Sequence, residues 1–71
     1  MTTTADKVKM INDAVAAPRN EFAREKALKA EIVDGKVLYS AAPRGKTIRV
    51  TLFEALALLH GEDARNIRAA L

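Results

Sequence analysis

The sequence predicts a small α+β domain: an N-terminal helix or helix pair, a two- to three-stranded antiparallel meander, and two C-terminal helices. Three local signals carry that reading. Val8, Ile11 and Val15 recur at helical spacing. Asp34-Gly35 separates two runs of alternating polarity, Lys29–Val33 and Lys36–Ser40, as a two-residue hairpin requires. Thr51 and Glu54 stand three residues apart directly before an apolar run, which is the pattern of a helix capping box.

The elements follow in order. Thr4 to Ala16 reads as the first helix, with Thr4 as its N-cap and residues 1–3 disordered ahead of it. Pro18 ends or kinks this helix, because its ring disfavours the α conformation at Ala17. Arg19 to Leu28 reads as a second helical piece, amphipathic through Phe22, Ala23 and Ala27 and helped by a Glu25–Lys29 pair. It is either a separate helix or the continuation of a kinked one. Closure at Asp34-Gly35 pairs Val33 with Lys36, Ile32 with Val37, Glu31 with Leu38 and Ala30 with Tyr39. Alternation then puts Ala30, Ile32, Val37, Tyr39, Ile48 and Val50 on a core face. Lys29, Glu31, Val33, Lys36, Leu38, Ser40, Thr47, Arg49 and Thr51 take the other face. Leu52 to His60 is apolar nearly all round, so it reads as a central helix buried on more than one side. Gly61 is placed to stop it as a left-handed C′ residue. A last helix opens on Glu62-Asp63, with Ala64, Ile67 and Leu71 inward and Arg65 and Arg68 in its later turns.

Seventy-one residues make one domain, 1–71, with a core near the lower limit of stability. Almost half the chain is apolar, but alanine supplies much of that and adds little core volume, so a homodimer sharing its core is one expectation. The absence of cysteine removes disulfides and thiolate metal sites and fits a reducing cytoplasm. Met1 to Asp6 has no secretory pattern. The longest apolar run, Ala55–Leu59, falls far short of the roughly 20 residues that span a bilayer, so no membrane partner is expected.

Catalytic chemistry finds little support. His60 is the only histidine, and the dipole at the end of the preceding helix accounts for it. Zinc wants about four ligands, which one histidine and no cysteine do not supply. Asp34 has a turn role, and Glu31 reads as a solvated strand residue rather than half of a carboxylate pair. Pro43-Arg-Gly-Lys46 lacks the phosphate-loop spacing. The expectation is a non-enzyme that needs no cofactor and no metal.

The net charge of +3 permits an anionic partner, and position decides whether one is implied. Lys29, Lys36 and Arg49 project from the second sheet face, and Arg44 and Lys46 lie on the adjoining loop. Five cations on one surface can track phosphates, although lysines on strands also guard edges against aggregation. Tyr39 points inward in this register, so the surface offers no aromatic for base stacking, which favours duplex DNA over a single strand.

Leu52–Leu71 resembles a helix-turn-helix in Ala57, Gly61 and Ile67. The resemblance implies that Arg65, Asn66 and Arg68 lie exposed on a helix that can enter a groove. His60 and Glu62 depart from it where apolar residues are usual, and Glu62 and Asp63 place negative charge at the end that would approach DNA. An ordinary helical hairpin explains the same residues. The sequence thus points to a small nucleic-acid-binding protein using Lys29, Lys36, Arg44, Lys46, Arg49, Arg65 and Arg68. The alternative is a protein-interaction module or accessory subunit with Val33, Leu38 and Leu58 at its interface.

Overall fold

A computed structural model describes residues 3–71. The chain runs α1 (Thr4–Ala16), a 3-10 turn (Pro18–Asn20), α2 (Glu21–Glu25), β1 (Lys29–Val33), β2 (Lys36–Ala41), β3 (Ile48–Val50), α3 (Leu52–Ala57) and α4 (Gly61–Ala70). This is the expected α+β architecture, with the three strands in the order β1-β2-β3 and both neighbouring pairs antiparallel.

The first helix begins one residue earlier than its sequence pattern suggests. Thr3, not Thr4, is the N-cap: its hydroxyl accepts from the Asp6 N–H, and the Asp6 carboxylate accepts from the Thr3 N–H. The expected disorder of residues 1 and 2 lies outside the described residues. The helix ends at Ala16, and Ala17 takes an extended conformation ahead of Pro18, so residues 4–28 form two helices.

The second helix is shorter than expected. It stops at Glu25, and Ala27 adopts φ +54°. The Leu28 N–H donates to Ala23 and the Ala27 N–H to Arg24, which is a Schellman closure with alanine at the position glycine normally takes. Leu28 and Ala23 are both buried, so their apolar contact holds the closure. Lys29 has left the helix and pairs with Glu31 instead of Glu25.

The hairpin has the expected register, Val33 opposite Lys36 through Ala30 opposite Tyr39. Asp34 at φ 52° and Gly35 at φ 74° supply the two left-handed residues of a type I′ turn. β3 joins with Tyr39 opposite Val50 and Ala41 opposite Ile48. The sorting into two faces therefore stands, but burial within the core face is uneven. Ala30 and Ala41 are buried, Val37, Tyr39 and Val50 are half-buried, and Ile32 and Ile48 are about half exposed at 49% and 47%. The expectation that Ile32 and Ile48 are buried is thus overturned. The helices cover Ala30 and Ala41 but reach neither the turn end of the hairpin nor the outer strand fully. Ile32 sits at the turn end, and Ile48 sits on the outer strand at the opposite end.

α1 packs along β1 and is the central helix, with Ile11 at 1% exposure. α3 does not have the central role expected of it. It ends at Ala57 rather than His60, buries Ala55 and Leu56, and turns Phe53 outward at 75% exposure. So short a helix, packed on β2 and α4, leaves part of its surface uncovered, and Phe53 and Ala57 fall there. Its capping box at Thr51 and Glu54 is formed in both directions.

Gly61 is not a left-handed stop. It is the first residue of α4, and its φ lies outside the left-handed region. His60 is not the end of α3 but the N-cap of α4, its Nδ1 accepting from the Glu62 N–H at 3.3 Å. Ile67 is buried as expected, whereas Leu71 lies past the helix and is exposed at 42%. Among the described residues no helix is long and apolar enough to cross a membrane.

Candidate nucleic-acid interface

The helices pack against one side of the sheet, through Ala30, Val37, Tyr39, Ala41 and Val50. The other side carries Lys29, Glu31, Val33, Lys36, Leu38, Ser40 and Arg49, and Leu38 takes no part in the core. Lys29, Ser40 and Arg49 form one cross-strand row. Ser40 at 5% exposure lies between the two cations and is the buried member of that row.

Glu31 organises the charges here. Arg49 reaches across β2 to donate to its carboxylate at 2.8 Å, and the Lys29 ammonium stands at 3.8 Å. The Arg49 hydrogen bond first, and the Lys29 charge second, hold the Glu31 carboxyl below its ordinary value. Two of the cations expected to meet phosphate are therefore partly neutralised by one carboxylate. These pairs are solvated, so a competing phosphate displaces them at small cost. Around them Lys29, Glu31, Ser40, Thr47 and Arg49 border a shallow depression.

Lys36, Arg44 and Lys46 are exposed and make no ion pair with a carboxylate among the described residues. The loop that carries Arg44 and Lys46 is tied down at its base. The Ala42 N–H donates to the Lys26 carbonyl at 2.6 Å, and the Lys26 ammonium reaches the Pro43 carbonyl at 3.5 Å. Gly45 takes φ 82° at the turn between the two cations. Tyr39 lies on the helix-covered side, where burial raises its phenol above the ordinary value, so the uncovered sheet side carries no aromatic among the described residues; the exposed Phe22 ring lies near the loop instead, 5.3 Å from the Lys26 ammonium that reaches Pro43.

Arg65 and Arg68 lie elsewhere. α4 packs on α1 and α3, and both arginines line a groove with α3 residues. The seven cations thus divide: Lys29 and Arg49 share a row, Lys36 lies at the turn end of the sheet, Arg44 and Lys46 border a depression with Ile48, and Arg65 and Arg68 form a helical pair. The helix-turn-helix likeness also weakens. Gly61 serves no tight turn, Ala57 and Gly61 are exposed rather than pressed together, and the first turn of α4 is occupied from within the chain. Arg19 holds Asp63 there through two hydrogen bonds, with Nε at 2.9 Å, and reaches Glu62 at 3.5 Å. Of the alternative interface residues, Val33 is exposed at 36%, Leu38 is half-buried on the same sheet side, and Leu58 is half-buried against the core.

Three features have no counterpart in the sequence reading. Asn20, at 1% exposure, joins three segments: its amide donates to the Ala14 carbonyl and to Asp63, and its oxygen accepts from the His60 N–H, each at 2.7 Å. Asn12 pairs its side-chain amide with both the N–H and the carbonyl of Ala30, each at 3.0 Å, and so occupies part of the free edge of β1. Both sets of bonds are long-range and leave no local pattern. The third, the outward Phe53, does leave a local signal, because the capping box fixes its place on α3 and Ala55, Leu56 and Leu59 already define an inward side.

No family model matches the chain, and no curated protein or solved structure matches it either. Among the described residues no cluster of three potential metal ligands occurs.

Proposed function

We propose that this protein is a non-catalytic binding protein that contacts the phosphates of nucleic acid, duplex DNA in particular, through its uncovered sheet side and the β2–β3 loop. The charge layout supports this reading. Lys29, Lys36 and Arg49 stand on the uncovered side of the sheet, Arg44 and Lys46 on the loop between β2 and β3, and among the described residues Glu31 is the carboxylate that pairs with Lys29 and Arg49. The uncovered sheet side carries no aromatic among the described residues, which favours a duplex backbone over stacked bases there.

Substitution of Arg44 and Lys46 tests it best, because neither supports the fold through an ion pair. Arg44→Glu with Lys46→Glu is expected to weaken DNA binding by a large factor. It should also make the salt dependence shallower by about 0.9 for each phosphate no longer neutralised. Arg49→Glu is a poorer probe, since it would set two carboxylates together at Glu31. Absence of binding by the unsubstituted protein at low salt would end this reading.

Val33 and Leu38 on the same side support the second reading, a protein-interaction module. A partner held there would resist moderate salt, whereas phosphate binding would not.

A further inference from the structure

Between α3 and α4 runs a groove of about 380 Å³. Leu56, Leu59 and Ala64 form its apolar floor, with Phe53 and Ala57 contributed by α3 and Gly61, Arg65 and Arg68 by α4. Phe53 is 75% exposed, the most exposed of the large apolar side chains among the described residues. A Cβ added at Gly61 would meet nothing within 4 Å, so this wall is open. Arg65 and Arg68 make no ion pair with a carboxylate among the described residues, because Glu62 and Asp63 on the same helix are drawn away to Arg19.

We propose that this groove docks a short acidic peptide segment of a partner protein. An apolar side chain enters between Phe53 and the floor, and neighbouring carboxylates meet Arg65 and Arg68. The volume suits one or two side chains. An apolar floor rewards a desolvated hydrocarbon, and arginine pairs bidentately with carboxylate. A nucleic-acid strand fits less well. It needs successive stacking platforms along a line of cations, whereas here one aromatic faces two arginines. The sheet–loop cations do not extend this site, since α4 packs on helices. The proposal stands independently of the nucleic-acid reading.

The test titrates the isotope-labelled full chain with a synthetic peptide of about 12 residues bearing two leucines at i and i+4 among glutamates. Parallel titrations use the same peptide with lysine replacing glutamate, and a single strand of thymidylate. The acidic peptide is expected to bind with a dissociation constant of about 10–100 μM and to shift resonances at Phe53, Ala57, Gly61, Ala64, Arg65 and Arg68. Phe53→Ala should weaken it about tenfold. Arg65→Glu with Arg68→Glu should remove binding. Gly61→Leu should also remove binding by filling the open wall, with thermal unfolding showing that the fold persists. The proposal is overturned if the acidic peptide causes no shifts, if the lysine peptide binds as well, or if thymidylate alone perturbs Phe53 and Arg65. Dimerisation of the free chain that Phe53→Ala abolishes would overturn it too, by making a second copy the occupant.

Discussion

Asn20 is 1% exposed, and its side-chain amide links α1, the 3-10 turn and the start of α4. Asn20→Ala would leave the His60 N–H and the Ala14 carbonyl without those partners, at an expected cost of about 3 kcal/mol. That is a large share of the stability of a small domain, and urea unfolding would measure it. A loss within about 0.5 kcal/mol would show that water replaces the amide at no cost. Two backbone positions give opposite expectations. Ala27 holds the left-handed conformation that the sequence pattern assigns to Gly61, so Ala27→Gly should stabilise by about 1 kcal/mol. Gly61 lies at the start of α4 with open space around its Cβ position, so Gly61→Ala should be neutral or stabilising by about 0.5 kcal/mol. Thermal unfolding of the two variants checks both assignments: a left-handed Gly61 would reverse the sign at Gly61, and a helix continuing through Ala27 would reverse the sign at Ala27.

At the scale of elements, legibility followed range. Hairpin register and the α3 capping box rest on residues at most a few positions apart, and both formed as read. Helix ends fixed by long-range contacts did not. α2 stops early because Leu28 is needed in the core and Lys29 in the sheet, which local propensity does not record. α3 stops early because the His60 N–H is taken by Asn20, forty positions away in sequence. Carboxylates join these elements, and they predict acid sensitivity. Asp63 is held below its ordinary 3.8 by hydrogen bonds from Arg19 and then Asn20. Glu54 is held below 4.5 by the Thr51 backbone N–H and hydroxyl, and Glu31 below 4.5 by the Arg49 hydrogen bond and then Lys29. Each has a lowered folded value, so its contribution is complete above the ordinary value and is lost as pH falls through the folded one. Thermal stability should therefore hold above about pH 5 and decline below about pH 4. Asp63→Asn should flatten part of that decline; an unchanged acid profile in this variant would contradict the role given to the Arg19–Asp63 pair.

For the whole molecule, the two-layer arrangement decides what the surface can do. Helices occupy one side of the sheet and leave Lys29, Lys36 and Arg49 on the other, which alternation alone made legible. Alternation could not reveal that Arg49 spans β2 to Glu31, nor that Arg65 and Arg68 belong to a separate groove, because both depend on how strands and helices assemble. The most direct test of the sheet–loop interface is chemical-shift mapping of the labelled protein with a random DNA duplex at low and moderate salt. Shifts are expected at Lys36, Arg44, Lys46 and Arg49, with weak effects at Tyr39 and a steep decline as salt rises. Shifts confined to α3 and α4, or none at low salt, would contradict that interface.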